Sequence, residues 1–146
     1  MKVLIFYTSA LGWGHKRSAL AIEKAIKKLY PKDQVFTLNA LKEATTNFER
    51  VLKYTRLGAL KLFPLVLNFL YKNEEHILKF LRPLESTIYR YYKNKFYVLI
   101  KKINPDVIVC THAFPCTTIS KLNIKIPLIY IITDFDILSY HLRTNA

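Results

Sequence analysis

Glycine is scarce in this chain, with three in 146 residues at positions 12, 14 and 58. That scarcity excludes flexible glycine-rich linkers, and the phosphate-loop pattern GxxxxGK[ST] is absent. Only two cysteines occur, Cys110 and Cys116, too few for a disulfide framework. They flank one histidine in CTHAFPC, a spacing that matches no standard zinc signature, so no metal site is expected. Cys110 reads as a buried strand end, and a reducing, cytosolic setting fits. Acidic residues are few, 10 against 23 basic, which leaves a net charge of +13. Such a balance favours an anionic partner: nucleic acid, an anionic membrane or a phosphorylated substrate. No window approaches the roughly 18 consecutive apolar residues of a membrane-spanning helix. The apolar start is β-branched and aromatic and runs into a glycine turn, so it reads as a first strand rather than a signal peptide.

What is present is concentrated at the start. Val3 to Tyr7 is an apolar, strand-like run, followed by a turn containing Gly12 and Gly14 and then a helical pattern with His15 at its mouth. A strand, glycine turn and helix gather free backbone N–H groups and the positive end of a helix dipole at one point, which suits an anion. An imidazole there is a candidate acid or base, and the dipole favours its neutral form. The competing reading is a surface histidine that merely begins a helix. Gly12-Trp13-Gly14 opens like the dinucleotide fingerprint GxGxxG, but Arg17 stands where the third glycine belongs and the second strand ends at Asn39 without an acid for a ribose. A nicotinamide or flavin cofactor is therefore not expected. Lys16 and Arg17 have two readings, phosphate contact or a solvated helix face, and spacing does not decide between them.

The rest of the chain alternates strands and helices. Residues 2–8, 34–38, 106–110 and 128–133 read as strands. Residues 14–30 read as a helix with an apolar stripe of Ala19, Leu20, Ile22, Ala25, Ile26 and Leu29, stopped by Pro31. The runs DVIVC and LIYIIT are continuously apolar, as in strands covered on both faces of a parallel sheet. The expected fold is a single α/β domain with a doubly wound, mostly parallel, Rossmann-like sheet. Ligands of such sheets bind outside the carboxyl ends of the strands. The segments Thr8–His15, Thr111–Pro115 and Asp134–Asp136 would converge there, which raises His112 and Asp134 as site residues against the plainer reading of strand-end polar groups or helix caps.

The middle, about 45–103, reads as helical, basic and aromatic. Residues 42–102 carry 13 basic and 5 acidic side chains, and 11 of the 20 aromatics fall between Phe48 and Tyr97. It reads as core plus a solvated face, as a nucleic-acid surface, or as a membrane surface. Leu57–Tyr71 is too apolar for nucleic acid and too short and broken by Pro64 to span a bilayer. The favoured partner is an anionic membrane, with Lys61, Phe63, Phe69, Tyr71, Arg90 and Lys93 as contacts, and no nucleic acid.

Three blocks carry a resemblance. They are Thr8-Ser9-Ala10-Leu11-Gly12-Trp13-Gly14-His15-Lys16-Arg17-Ser18-Ala19, then Pro105 to Phe114 (PDVIVCTHAF), then Thr133-Asp134-Phe135. Together they resemble the N-terminal domain of monogalactosyldiacylglycerol synthases and of the bacterial processive diacylglycerol glucosyltransferases. The resemblance implies the N-terminal half of a B-type glycosyltransferase, which moves a hexose from a UDP-sugar to diacylglycerol with inversion. It implies His15 as the base that deprotonates the acceptor. Gly12 and Gly14 would let backbone approach the diphosphate or acceptor, and Trp13, Lys16, His112 and Asp134 would contribute to the same substrate site. The UDP-sugar would be a co-substrate, held mostly by a C-terminal donor-binding domain, with no permanently bound cofactor. The protein would sit peripherally on the cytoplasmic face of the cell membrane.

Departures from the pattern set further expectations. Trp13 replaces the middle of three glycines, where an indole would narrow the acceptor pocket or reach toward lipid. After Thr133-Asp134-Phe135 the chain reads DILSYHLRTNA, with one histidine and no proline, where the family pattern has histidines and a tryptophan. No donor-binding domain follows in these 146 residues, so activity is expected only with a separate donor-binding domain or within a larger parent. The rival expectations are a non-catalytic, peripheral membrane-binding module or remnant, and the acceptor domain of a lipid-linked N-acetylglucosaminyltransferase.

Overall fold

The computed structural model describes the backbone over residues 1–9, 13–44 and 74–133, and side chains over 1–9, 13–42 and 89–133. In chain order these form β1 (Lys2–Tyr7), α1 (Trp13–Leu29), β2 (Gln34–Asn39), α2 (Ala40–Ala44), α3 (Glu74–Ile103), β3 (Val107–Cys110), α4 (Ala113–Ser120) and β4 (Leu128–Tyr130). The strands form one sheet in the order β2-β1-β3-β4, every pair parallel, with Leu4 opposite Phe36 and Ile108, and Cys110 opposite Tyr130. This is the α/β, Rossmann-like arrangement expected from the alternating pattern.

Alternation along the strands sends side chains to two cores. Leu4, Phe6, Ile108 and Cys110 face α3 and α4, where Tyr92, Phe96, Ile100, Cys116 and Ile119 are buried against them. The positions 92, 96 and 100 repeat every four residues, so they form one ridge of α3. Phe96 lies 5.2 Å from the Phe6 ring, and Tyr92 lies 5.0 Å from the Phe114 ring, measured between centroids. Val3, Ile5 and Val109 face the other way, onto Ala19 of α1. Both sheet faces are therefore occupied near β1, which is why its run is apolar without alternation.

Three expectations need correction. The stripe of α1 that meets the sheet is His15, Ala19, Ile22 and Ile26, whereas Leu20, Ala25 and Leu29 are exposed. Steps of four, three and four residues keep the first set within one narrow face, which Leu20 and Ala25 leave, whereas Leu29 keeps the spacing but is exposed at the last residue of the helix. The last strand ends at Tyr130, not Thr133, because β3 offers partners only as far as Cys110. That strand is also not covered on both faces, since Ile129 is 48% exposed at the sheet edge. Of the basic, aromatic middle, 74–103 is helical as expected. Residues 45–73, with Lys61, Phe63, Phe69 and Tyr71, lie outside the described residues, as do Gly12 and Asp134.

Candidate functional site

The site is built at the carboxyl edge of the sheet, where α1 leaves β1 and α4 leaves β3. His15 is the first residue of the inward stripe of α1, so packing of that helix carries its imidazole over the end of β3, and only 8% of the residue stays exposed. It is not the surface histidine of the plainer reading. His15 Nδ1 lies 2.8 Å from the Thr111 carbonyl oxygen and 2.5 Å from Thr133 Oγ1. A carbonyl only accepts, so Nδ1 carries the hydrogen and donates it. Thr133 Oγ1 donates its own hydrogen to the same carbonyl at 3.2 Å, which leaves its lone pairs toward the imidazole. The neutral ring therefore holds its lone pair on Nε2. Thr111 Oγ1 also donates to the His15 carbonyl oxygen at 2.9 Å, tying the first turn of α1 to the end of β3.

His112 meets His15 edge to face, with ring centroids 4.6 Å apart at 83°. It is the N-cap of α4, in extended backbone conformation, and its Nδ1 accepts the Phe114 N–H at 3.1 Å. That bond satisfies one of the unpaired donors of the first helical turn. It also fixes the opposite tautomer, because an Nδ1 that accepts leaves the proton of the neutral ring on Nε2. Of the two readings of His112, the cap is realised, and it coexists with a place beside His15. Pro115 is tolerated in this helix because it falls in the first turn, where no N–H is needed.

Trp13 and Gly14 are the first two residues of α1, and both are exposed. Among the described residues a Cβ built on Gly14 would meet nothing within 4 Å, so no packing among them calls for glycine there. Lys16 is half-buried with Nζ 5.2 Å from the centre of the Trp13 ring. On the far side of β1, Asn39 donates to Ser9 Oγ at 2.7 Å and its Oδ1 accepts the Leu41 N–H at 3.1 Å, capping α2. Thr8, the first residue past β1, is 1% exposed and its hydroxyl has no hydrogen-bond partner among the described residues. On α3, Arg90 is exposed and Lys93 is half-buried, with Lys93 Nζ 5.9 Å from the centre of the Tyr89 ring.

The cysteines are buried and free. Desolvation raises the Cys110 thiol well above the ordinary range, and the neighbouring Cys116 adds to it, so Cys110 stays protonated. Among the described residues no group of three or more His, Cys, Asp or Glu is placed to hold a metal ion. Thr111 and Thr133 are the site residues that sequence reasoning passed over. Their signal was position, since each is the threonine directly before a titratable residue at the end of a β-run.

A parallel sheet flanked by helices, with a histidine from the first loop-to-helix junction buried at its carboxyl edge, defines the class as α/β and Rossmann-like, the fold of the N-terminal domain of B-type glycosyltransferases. The chain belongs to the monogalactosyldiacylglycerol (MGDG) synthase family, whose family model matches residues 15–145. That family comprises glycolipid glycosyltransferases acting on diacylglycerol. A search of curated proteins and a search of solved structures each return no match.

Proposed function

We propose that this domain is the acceptor side of an inverting transferase that moves a hexose from a UDP-sugar to the free hydroxyl of diacylglycerol, with His15 as general base. The observation that carries this reading is the pinned imidazole: Nδ1–H is committed to Thr111 and Thr133, so the basic nitrogen is Nε2. In the reaction, Nε2 takes the acceptor's proton as its oxygen bonds to the anomeric carbon. The bond from that carbon to the UDP oxygen breaks on the opposite face, and UDP leaves with the electron pair. The imidazolium so formed keeps its Nδ1–H against two oxygen acceptors, which stabilise the developing charge.

Gly14 supports the same reading, because open space where a Cβ would stand leaves room for a substrate to approach backbone. Lys16, Gly12, His112 and Asp134 complete the proposed substrate set, while the exposed Trp13 indole, on the opposite side of α1 from His15, is left out of it. The UDP-sugar is a co-substrate whose nucleotide is held mainly by a donor-binding domain.

The acceptor is a membrane lipid, and α3 supports peripheral attachment to an anionic surface on the cytoplasmic side. Residues 89–103 contain five basic and no acidic side chains. Exposed Tyr91 and Tyr97 lie under the ammonium groups of Lys95 and Lys101, at 4.7 and 5.6 Å from the ring centres. Such a face pairs aromatic rings for the headgroup level with cations for anionic lipid. Among the described residues no helix is long and apolar enough to cross a membrane. The test is glycolipid formation on anionic liposomes containing diacylglycerol, given UDP-glucose or UDP-galactose and a family donor-binding domain. A β-linked monohexosyl product is expected from the α-linked donor. An α-linked product would refute inversion, and absence of any product in that mixture would refute the activity.

A further inference from the structure

We propose that Trp13 anchors this domain in the headgroup layer of an anionic bilayer, together with Lys16, and so holds the carboxyl edge that carries His15 at the lipid surface. The inference rests on the membrane reading above for its partner, an anionic bilayer, and commits to the carboxyl edge as the lipid-facing side, because α1 and α3 cover opposite faces of the sheet and their outer sides cannot both lie on one flat bilayer.

Trp13 is the chain's only tryptophan, yet it is 70% exposed. Among the described residues the ring takes no part in the core, because the sheet is met by His15, Ala19, Ile22 and Ile26 instead. Two residues along a helix turn the side chain by about 200°, so the indole projects outward where the His15 imidazole projects inward. Its surroundings are cationic. The first turn of α1 has no acidic residue, Lys16 Nζ lies over the ring, and Arg17 is exposed. The first acid on the helix, Glu23, is paired with Lys27 at 2.6 Å.

An indole combines an apolar body with one N–H donor, which matches the boundary between acyl chains and headgroups. Flanking cations match anionic lipid, each contributing about 1 kcal/mol near such a surface. Gly14 beside the indole leaves the rim without bulk that would hold the ring off the bilayer.

Because the chain has one tryptophan, its intrinsic fluorescence reports this position alone. The experiment uses vesicles of equimolar phosphatidylglycerol and phosphatidylcholine, with bromine on the acyl chain either close to the glycerol or near the methyl end. Co-sedimentation is measured on the same samples. Blue-shifted emission is expected, with stronger quenching by the shallow bromines than by the deep ones. Lys16→Ala should weaken vesicle binding about fivefold, the equivalent of one lysine at an anionic surface.

As a positional control, the indole is moved to the other end of α1 by Trp13→Phe with Tyr30→Trp, about 26 Å along the helix axis. Tyr30 is 61% exposed, so the fold tolerates the exchange, and circular dichroism checks it. This variant should show no bromine quenching. A chain that co-sediments while Trp13 is neither shifted nor quenched, or quenched equally in the relocated variant, would overturn the anchor and leave peripheral attachment standing. Failure to co-sediment would overturn both. Quenching of Trp13 by UDP alone, with none by bromolipid, would make the indole a nucleotide platform instead.

Discussion

The two histidines at the carboxyl edge should be opposite tautomers, and this can be read directly. His15 donates from Nδ1 to Thr111 and Thr133, whereas His112 accepts at Nδ1 from Phe114. With ¹⁵N-histidine labelling, long-range ¹H–¹⁵N spectra at about pH 8, above the ordinary histidine range, should show Nδ1–H for His15 and Nε2–H for His112. His15→Gln and His112→Gln assign the signals among the chain's four histidines. Thr133→Val is the graded perturbation. It removes one of two acceptors of the His15 Nδ1–H and leaves the Thr111 carbonyl at 2.8 Å. A net hydrogen bond contributes about 1 kcal/mol, so the Nδ1–H preference should fall roughly fivefold without inverting, and the His112 signals should not move. Finding His15 as Nε2–H in the native chain would refute the assignment of Nε2 as base. An unchanged tautomer ratio in Thr133→Val would show that the Thr111 carbonyl alone pins the ring.

Three further substitutions probe the surroundings. Gly14→Ala should raise stability by about 0.5–1 kcal/mol, because glycine weakens a helix and the new methyl meets nothing, yet lower glycolipid formation. Loss of stability in thermal unfolding would contradict the open space. Thr8→Val should be neutral or stabilising by about 1 kcal/mol in denaturant unfolding, since it removes a buried hydroxyl without a partner among the described residues; a clear loss would show that the hydroxyl is satisfied. Phe96→Ala should cost about 3–5 kcal/mol, the usual range for a fully buried phenylalanine, and a loss below about 1 kcal/mol would remove Phe96 from the centre of the core.

Three of the four strands, β1, β3 and β4, were legible as short apolar runs bounded by a proline, a glycine turn or polar residues, whereas the edge strand β2 (QVFTLN) is apolar at only three of its six positions. The glycine turn and His15 were legible as a loop-to-helix junction, but the burial of the histidine was not argued, although it starts the 15, 19, 22, 26 stripe. Leu20 and Ala25 are apolar but lie off that face by helical angle, and Leu29 lies on it but ends the helix, so hydrophobicity alone does not mark which residues are buried. The helix Ala113–Ser120 left little trace because it is apolar nearly all round and carries a proline in its first turn. The Thr111 and Thr133 contacts were out of reach: they depend on β3 and β4 being neighbours and on β4 ending at Tyr130, which frees Thr133 to turn toward His15.

The central claim is that His15 is the base for sugar transfer to diacylglycerol. The most direct measurement compares native chain with His15→Ala, each paired with the same family donor-binding domain, in UDP-hexose turnover on anionic diacylglycerol liposomes. Loss of a general base should lower turnover by about 10²–10⁴-fold while liposome binding stays at the native level. Turnover within a few-fold of native, from folded and liposome-bound variant, would contradict the claim.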